Sequence, residues 1–298
     1  MNIKRVKRKT GNFIRRFNGI LGDVSNSLAT MYTGDPTGIV GLAVKETVCK
    51  TLENVSSKLD NCQLTEWEIQ RVTNCMKFSI ERIEKNIKEG RQIREDDFFK
   101  EKFDDRRSDA EEVFESIVIA SQRESQEMKQ LFYGNILANI GFQNNVGADE
   151  VNFIIKVFEK LTYRQCLLLS MFYYNNACKR QKIESVLINT NLIGMIEEKD
   201  VVLYQEILDL YNKSLIFNKD ASIIFNIAFI IPNNLITYGL GNMIIQLSGL
   251  DRITDSNSRL STKHLSDLKD LYDKFVDNSI GEIILEKDNL YIIDKRAE

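Results

Sequence analysis

Residues 107–140, RSDAEEVFESIVIASQRESQEMKQLFYGNILANI, decide the fold of this 298-residue chain. Ala110, Val113, Phe114, Ile117, Ser121, Met128, Leu131, Phe132, Ile136 and Ile140 recur in steps of three and four, with occasional gaps. That spacing puts one apolar stripe on an α-helix. No glycine or proline interrupts residues 108–133, so the pattern predicts one long central helix of roughly 50 Å, at about 1.5 Å per residue. Gly134 is its weak point and Gly141 its stop. Residues 121–126, SQRESQ, are polar on every side, and the stripe turns Ser121, Glu124 and Ser125 inward. Two readings stand. One is a solvated face on which Arg123 and Glu127 form an i,i+4 pair. The other is a polar contact surface for a partner or a second copy, with Arg107, Glu111, Arg123, Glu124 and Glu127 as the partner-binding candidates.

Upstream, Thr65 and Glu68 form a capping box, in which hydroxyl and carboxylate satisfy free N–H groups at a helix start. A helix over residues 64–90 follows, with Ile69, Val72, Met76, Ile80, Ile83 and Ile87 inward and Trp67 as a core anchor. Residues 91–106 are densely charged. Asp96, Asp97, Asp104 and Asp105 invite comparison with divalent-cation ligands. The interleaved basic residues and the lack of calcium-loop spacing argue against such a site. Phe98, Phe99 and Phe103 are expected to pin this segment to the core.

The first 22 residues carry Lys4, Arg5, Lys7, Arg8, Lys9, Arg15 and Arg16 and no acid. They hold +7 while the whole chain holds −3, which leaves −10 for the rest. A basic arm on an acidic body suggests contact with phosphate, lipid headgroups or the body itself. Phe13, Ile14, Phe17, Ile20 and Leu21 beside Arg15 and Arg16 fit either a docking arm or a short helix lying on a membrane surface. A helix is expected over residues 39–59.

Downstream, a helix over 149–160 buries Val151, Ile154, Ile155, Phe158 and Leu161. Thr162 and Gln165 then form a second capping box opening a helix to about residue 175. Short helices follow near 182–188 and over 200–212. Residues 222–231, SIIFNIAFII, read as a buried strand stopped by Pro232, and Thr237 as the cap of a last helix ending at Gly249. Three helices, a strand region and a closing helix are the order of a winged helix-turn-helix. The third helix would read DNA in such a fold. Here residues 200–213 carry Asp200, Glu206 and Asp209 against Lys213, and an acidic reader repels phosphate. The module is therefore expected to be a packing or protein-binding unit rather than a nucleic-acid binder. In the acidic C-terminal part, residues 264–276 read as helix, with His264 structural or exposed near its start, and 282–285 with 290–293 as a small hairpin.

The fold class that results is mainly α: an N-terminal helical domain with a long central helix, then a winged-helix-like module with a short β element. The expected divisions are 1–60, 61–160, 161–250 and 251–298. Five cysteines, an odd number, without CxxC and with a single histidine, fit reduced cytoplasmic thiols rather than disulfides or zinc. No stretch reaches 18 consecutive apolar residues, and the basic start lacks the apolar run of a secretory signal. The reading is a cytoplasmic protein, with the arm as the segment that would hold it at the inner membrane face. No phosphate-binding glycine loop, dinucleotide fingerprint or nucleophile elbow is present. Glu111, Glu112 and Glu115 fit the acidic start of a helix. No catalytic residue, metal or cofactor is expected.

Several stretches together resemble the abortive-infection alpha type of bacterial and prophage-borne proteins. They are 91–99 (RQIREDDFF), 107–112 (RSDAEE), 133–140 (YGNILANI), 161–165 (LTYRQ) and 238–250 (YGLGNMIIQLSGL), with the small-residue N-terminal segment. The resemblance spans residues 60–250. It implies a cytosolic antiphage role in which activation harms the infected cell, with a phage component as trigger. It brings no catalytic residues with it. The alternative is a winged-helix regulator that binds nucleic acid, its basic tail meeting phosphates.

Overall fold

A computed structural model describes residues 65–102, 106–180, 187–191, 196–251, 259–276, 281–286 and 289–294, with 5, 8–10 and 12. The protein is mainly helical, with two small two-stranded sheets among the described residues. It divides into two units, Met1–Lys160 and Leu161–Glu298. The helix expected over 39–59 and the apolar arm residues 13–21 lie outside the described residues.

In the first unit, α1 (Glu66–Lys88) starts where its sequence signals. Thr65 Oγ1 accepts from Glu68 N–H at 3.3 Å, and the Glu68 carboxylate accepts from Thr65 N–H at 2.7 Å. Val72, Cys75, Met76, Ile83 and Ile87 are buried. Trp67, expected in the core, is 69% exposed instead. It sits about 140° round the helix from Val72, away from the buried stripe.

The long central helix is two helices. α2 (Asp109–Arg123) is capped by Ser108, whose hydroxyl accepts from Glu111 N–H while Glu111 Oε2 accepts from Ser108 N–H at 2.8 Å. It ends at Glu124, where ψ is 117°. α3 (Lys129–Ile140) resumes after a turn. The break falls on the all-polar segment because those side chains satisfy what the turn lays open. Glu124 Oε1 accepts from Gln126 N–H at 2.9 Å. The buried Gln130 amide donates to the Ser121 carbonyl at 3.0 Å, and the Ser121 hydroxyl donates to Gln130 Oε1 at 2.5 Å. Gly134 is no break. It lets α3 press on α1, since a Cβ there would lie 2.6 Å from the Cys75 carbonyl oxygen and 2.8 Å from Phe78 Cβ. The apolar stripe itself continues across the break: Val113, Phe114, Ile117, Leu131, Phe132, Ile136 and Ile140 are all buried. Each contributes about 1.5–3 kcal/mol of apolar burial before the entropy of ordering is counted.

α1 and α3 make the unit's most extensive contact. A buried polar group fixes their register: Asn139 Oδ1 accepts from Arg82 Nε at 3.1 Å and from Asn86 Nδ2 at 3.0 Å. α4 (Ala148–Glu159) packs on α2, burying Val151, Ile154, Ile155 and Phe158. Between α1 and α2, Phe98 is buried with the Arg94 guanidinium 4.1 Å above its ring, while Phe103 lies outside the described residues.

The second unit is built around α5 (Tyr163–Arg180). Its start carries the Thr162–Gln165 box, with Thr162 N–H donating to Gln165 Oε1 at 2.9 Å and Gln165 N–H to Thr162 Oγ1 at 3.1 Å. Cys166, Leu168, Leu169, Met171 and Phe172 are fully buried, so this stretch of the helix is covered nearly all round. α6 (Val201–Asn212) follows, then β1 (Ile216–Asn218), β2 (Leu235–Thr237), α7 (Leu240–Ser248) and α8 (Arg259–Tyr272). β1 and β2 pair antiparallel. β3 (Gly281–Glu286) and β4 (Asn289–Asp294) form the expected C-terminal hairpin, in contact with α8.

Two expectations are corrected here. Residues 222–231 are not a strand but the connection between β1 and β2, with a 3-10 turn at Ile227–Phe229. A run in which Ser222 and Asn226 are the only polar residues carries no period to separate strand from loop. Thr237 is the buried last residue of β2, and Gly239 precedes α7 as its N-cap. Of the two readings of His264, structural or exposed, complete burial leaves the structural one. Of the helix expected at 182–188, residues 182–186 lie outside the described residues, and Leu187 forms an isolated bridge with Val276. α7 ends at Gly249, in the left-handed region at φ 73°, as a helix-stopping glycine should.

Candidate protein-contact surface

The β1–β2 hairpin is held at its base and apolar on its outside. In β1, Ile216 and Asn218 face inward and Phe217 outward, opposite Ile236 of β2. The Phe217 ring lies 6.3 Å from that of Tyr238. Asparagines fold the connection back. Asn218 Nδ2 donates to the Ser222 hydroxyl at 2.7 Å, and Lys219 N–H donates to the Asn234 carbonyl at 2.9 Å. Asn234 Nδ2 donates to the Asp220 carboxylate. Ala221 takes the left-handed turn position at φ 56°, which a non-glycine residue adopts at a cost of about 1–2 kcal/mol.

Ile224 and Ile230 anchor the connection by burial, yet their neighbours point outward. Ile223 is 63% exposed, Phe225 75%, Phe229 48%, Tyr238 68% and Phe217 45%. Over residues 214–238 the charged residues are Lys219 and Asp220, adjacent and of opposite sign. Lys219 is thus the hairpin's one cation, balanced by its neighbour Asp220. The rest of its exposed surface is largely aromatic and aliphatic.

α6 lies beside it, against the 3-10 turn. Its sequence has no lysine or arginine, and its exposed positions include Val201, Val202, Gln205 and Asn212. Its acids are taken up locally. Glu206 accepts from the Arg164 guanidinium and from Thr162 Oγ1, the latter at 2.9 Å. Asp209 pairs with Lys213 and accepts from Gln165 Nε2 at 2.7 Å, which holds its carboxyl below the ordinary range against the opposing push of burial. Asp200, just before the helix, accepts from Lys274 at 2.5 Å.

The residues singled out from sequence are dispersed in role. Glu111 is buried in its cap. Arg107 pairs with Glu115. Arg123 and Glu127 are exposed but lie on either side of the helix break, so the i,i+4 geometry read for them does not form. Glu124 turns in to Lys129, a fully buried lysine. The ammonium sits 5.1 Å from the Phe158 ring centroid and 5.7 Å from that of Tyr133, and Tyr133 Oη donates to Glu124 at 3.5 Å. Sequence reading missed this pair. Its signal was available, since Lys129 falls in step with Phe132 and Ile136. Arg5, Arg8 and Lys9 are exposed, whereas Lys4, Lys7, Arg15 and Arg16 lie outside the described residues. Asp96 is bound to Arg94 and Asp97 to Lys100, while Asp104 and Asp105 lie outside the described residues.

The histidine belongs to a structural tie. The Tyr163 hydroxyl at the start of α5 donates to Asp267 Oδ2 at 3.0 Å, so its oxygen accepts from a His264 Nδ1–H at 2.9 Å, both partners on α8. Burial pushes the imidazole down to about 3, with Asp267 opposing. Burial and Asp267 raise the Tyr163 phenol. A fully buried imidazole this weakly basic is not a general base for a solvent-borne substrate. The Cys75 thiol is pushed up to about 12 by burial, which makes it a poor nucleophile.

No protein-family model matches this chain, and neither the curated proteins nor the solved structures searched contain a match.

Proposed function

We propose that this chain is a non-enzymatic antiphage protein of the abortive-infection kind, acting through protein–protein contact at a winged-helix-like module in its second unit. The observation that carries the reading is the hairpin of zero net charge with Ile223, Phe225 and Tyr238 exposed. The order of elements supports the module: α5, a short extended segment, α6, β1, a long connection, β2 and α7. A hydrogen bond from Asn233 N–H, just before β2, to the Ile188 carbonyl at 3.0 Å supports counting that segment with the hairpin, although Leu187 bridges Val276. A recognition helix without cations beside a wing with a single lysine supports protein rather than DNA as its target. No helix among the described residues is long and apolar enough to cross a membrane.

The test is plating efficiency of a phage panel on cells carrying the wild-type chain or Phe225→Asp, with culture survival at high and low phage dose. Protection by the wild type with early culture collapse at high dose, lost in the variant, is the expected result. Protection that survives Phe225→Asp overturns the role of the hairpin, and no protection by the wild type against any phage overturns the antiphage reading. The nucleic-acid alternative has the exposed Arg5, Arg8 and Lys9 in its favour. Salt-dependent duplex binding that disappears on deleting residues 1–16 would establish it.

A further inference from the structure

We propose that the hairpin of the second unit docks on the same hairpin of a second copy of this chain, related by a two-fold axis. This rests on reading the hairpin as a protein-contact surface and names its occupant. Three features point to a copy rather than to a foreign partner or a lipid surface.

The first is charge. Lys219 and Asp220 stand side by side in an otherwise uncharged stretch, so the face is neutral and self-complementary. In a two-fold arrangement each residue of the patch meets the patch itself, and Lys219 of one copy can face Asp220 of the other. No net positive charge is present to favour an anionic membrane, and no net charge of either sign to select a charged partner. The remainder of the chain beyond the basic arm is acidic, so copies would repel elsewhere, and the neutral hairpin is where they can approach.

The second is area. Large side chains such as Phe and Tyr present about 150–250 Å² each, so the exposed fractions of Phe217, Ile223, Phe225, Phe229 and Tyr238 leave on the order of 600 Å² of such surface. A standard stable interface needs about 800 Å² from each partner. The half-buried Ile236 and Ile227 and the exposed Ser222 of the same hairpin bring the surface to that scale.

The third is preorganisation. The asparagine bonds and the buried Ile224 and Ile230 fix the connection before any partner arrives. A fixed apolar surface associates with little ordering cost.

The experiment is the mass of the full chain in solution by sedimentation equilibrium, near 50 μM on the order of ordinary dimer affinities, at low salt and at 1 M NaCl. Wild type is expected at twice the 34.4 kDa chain mass in both salts. Phe225→Asp is expected to run as a monomer with an unchanged far-ultraviolet circular dichroism spectrum, its dissociation constant raised at least tenfold. Lys219→Glu places two adjacent acids on each copy. It is expected to weaken the dimer at low salt and recover it at 1 M, where the Debye length is about 3 Å. A wild-type monomer overturns the proposal, as does a Phe225→Asp dimer of undiminished affinity. A wild-type monomer whose phage protection still depends on Phe225 overturns only the second copy and leaves the contact surface in place. A dimer lost in Phe225→Asp with protection intact upholds the second copy and overturns only the hairpin's part in protection.

Discussion

Gly134→Ala should unfold the first unit more easily, although alanine is the better helix former. In an isolated helix the exchange stabilises by about 1 kcal/mol. At this position the new Cβ would meet the Cys75 carbonyl oxygen at 2.6 Å, Phe78 Cβ at 2.8 Å and Ser79 N at 2.9 Å. All three sit on or next to the α1 backbone, so no side-chain rotation relieves the clash. α3 must move away from α1 by several tenths of an ångström along the unit's most extensive contact. That movement also pulls Asn139 from Arg82 and Asn86. Overpacking of this kind costs about 1–3 kcal/mol and occasionally more, and the backbone character of the clash puts it at the upper end. After the propensity gain is subtracted, about 2 kcal/mol of destabilisation is expected. For a unit of this size that lowers the melting temperature by about 4–8 °C. Thermal unfolding followed by circular dichroism, with urea titration as a second measure, reads it directly. Gly90→Ala is the control: Gly90 has open space around its would-be Cβ but lies at φ 81°, so its cost is conformational and about 1 kcal/mol. A Gly134→Ala protein as stable as wild type, or more so, would refute the close approach of α3 to α1.

Two further outcomes are expected. Lys129→Met leaves the Glu124 carboxylate in a poorly hydrated site and should cost about 3–5 kcal/mol, whereas the double variant with Glu124→Gln should recover much of it. Equal losses in the single and double variants, measured by urea unfolding, would rule out a coupled pair. His264 should make the second unit acid-sensitive. Its folded form binds a proton only near pH 3 while the unfolded chain does so near 6.5, so the stabilisation present above pH 6.5 is lost as pH falls. At about 1.4 kcal/mol per pH unit the loss reaches on the order of 2 kcal/mol at pH 5. Melting temperature should therefore fall between pH 7 and 5 more steeply for wild type than for His264→Gln, and parallel profiles would argue against a buried neutral imidazole.

What could be read from sequence were the features written in a few adjacent residues. The capping boxes at Thr65 and Thr162 start helices where expected, and the stripe from Val113 to Ile140 is the buried one. The C-terminal hairpin likewise followed from two short, mostly apolar runs flanking residues 286–289. What failed depended on partners distant in sequence or on breaks without a breaker residue. SQRESQ ends a helix with neither glycine nor proline, because Gln130 and Ser121 close the turn with side-chain bonds. In residues 222–231 burial alternates irregularly, with Ile224 and Ile230 in and Ile223, Phe225 and Phe229 out, and hydropathy alone scores all five alike. The contact surface was illegible for that reason. A run rich enough in isoleucine and phenylalanine for a core strand gives no sign that half of it faces water. Trp67 erred in the same direction, as a large apolar residue assigned to the interior and found outside.

The burial of Lys129 makes the first unit report on its own integrity. Trypsin needs an extended, accessible lysine, and amine-acylating reagents need one that water and reagent can reach. Neither condition holds for an ammonium sealed between Glu124, Tyr133 and Phe158. Cleavage or acylation at this one site, read by mass spectrometry beside the exposed lysines of the same chain, therefore counts how often the helical unit opens. The intact fold supplies the zero of that scale.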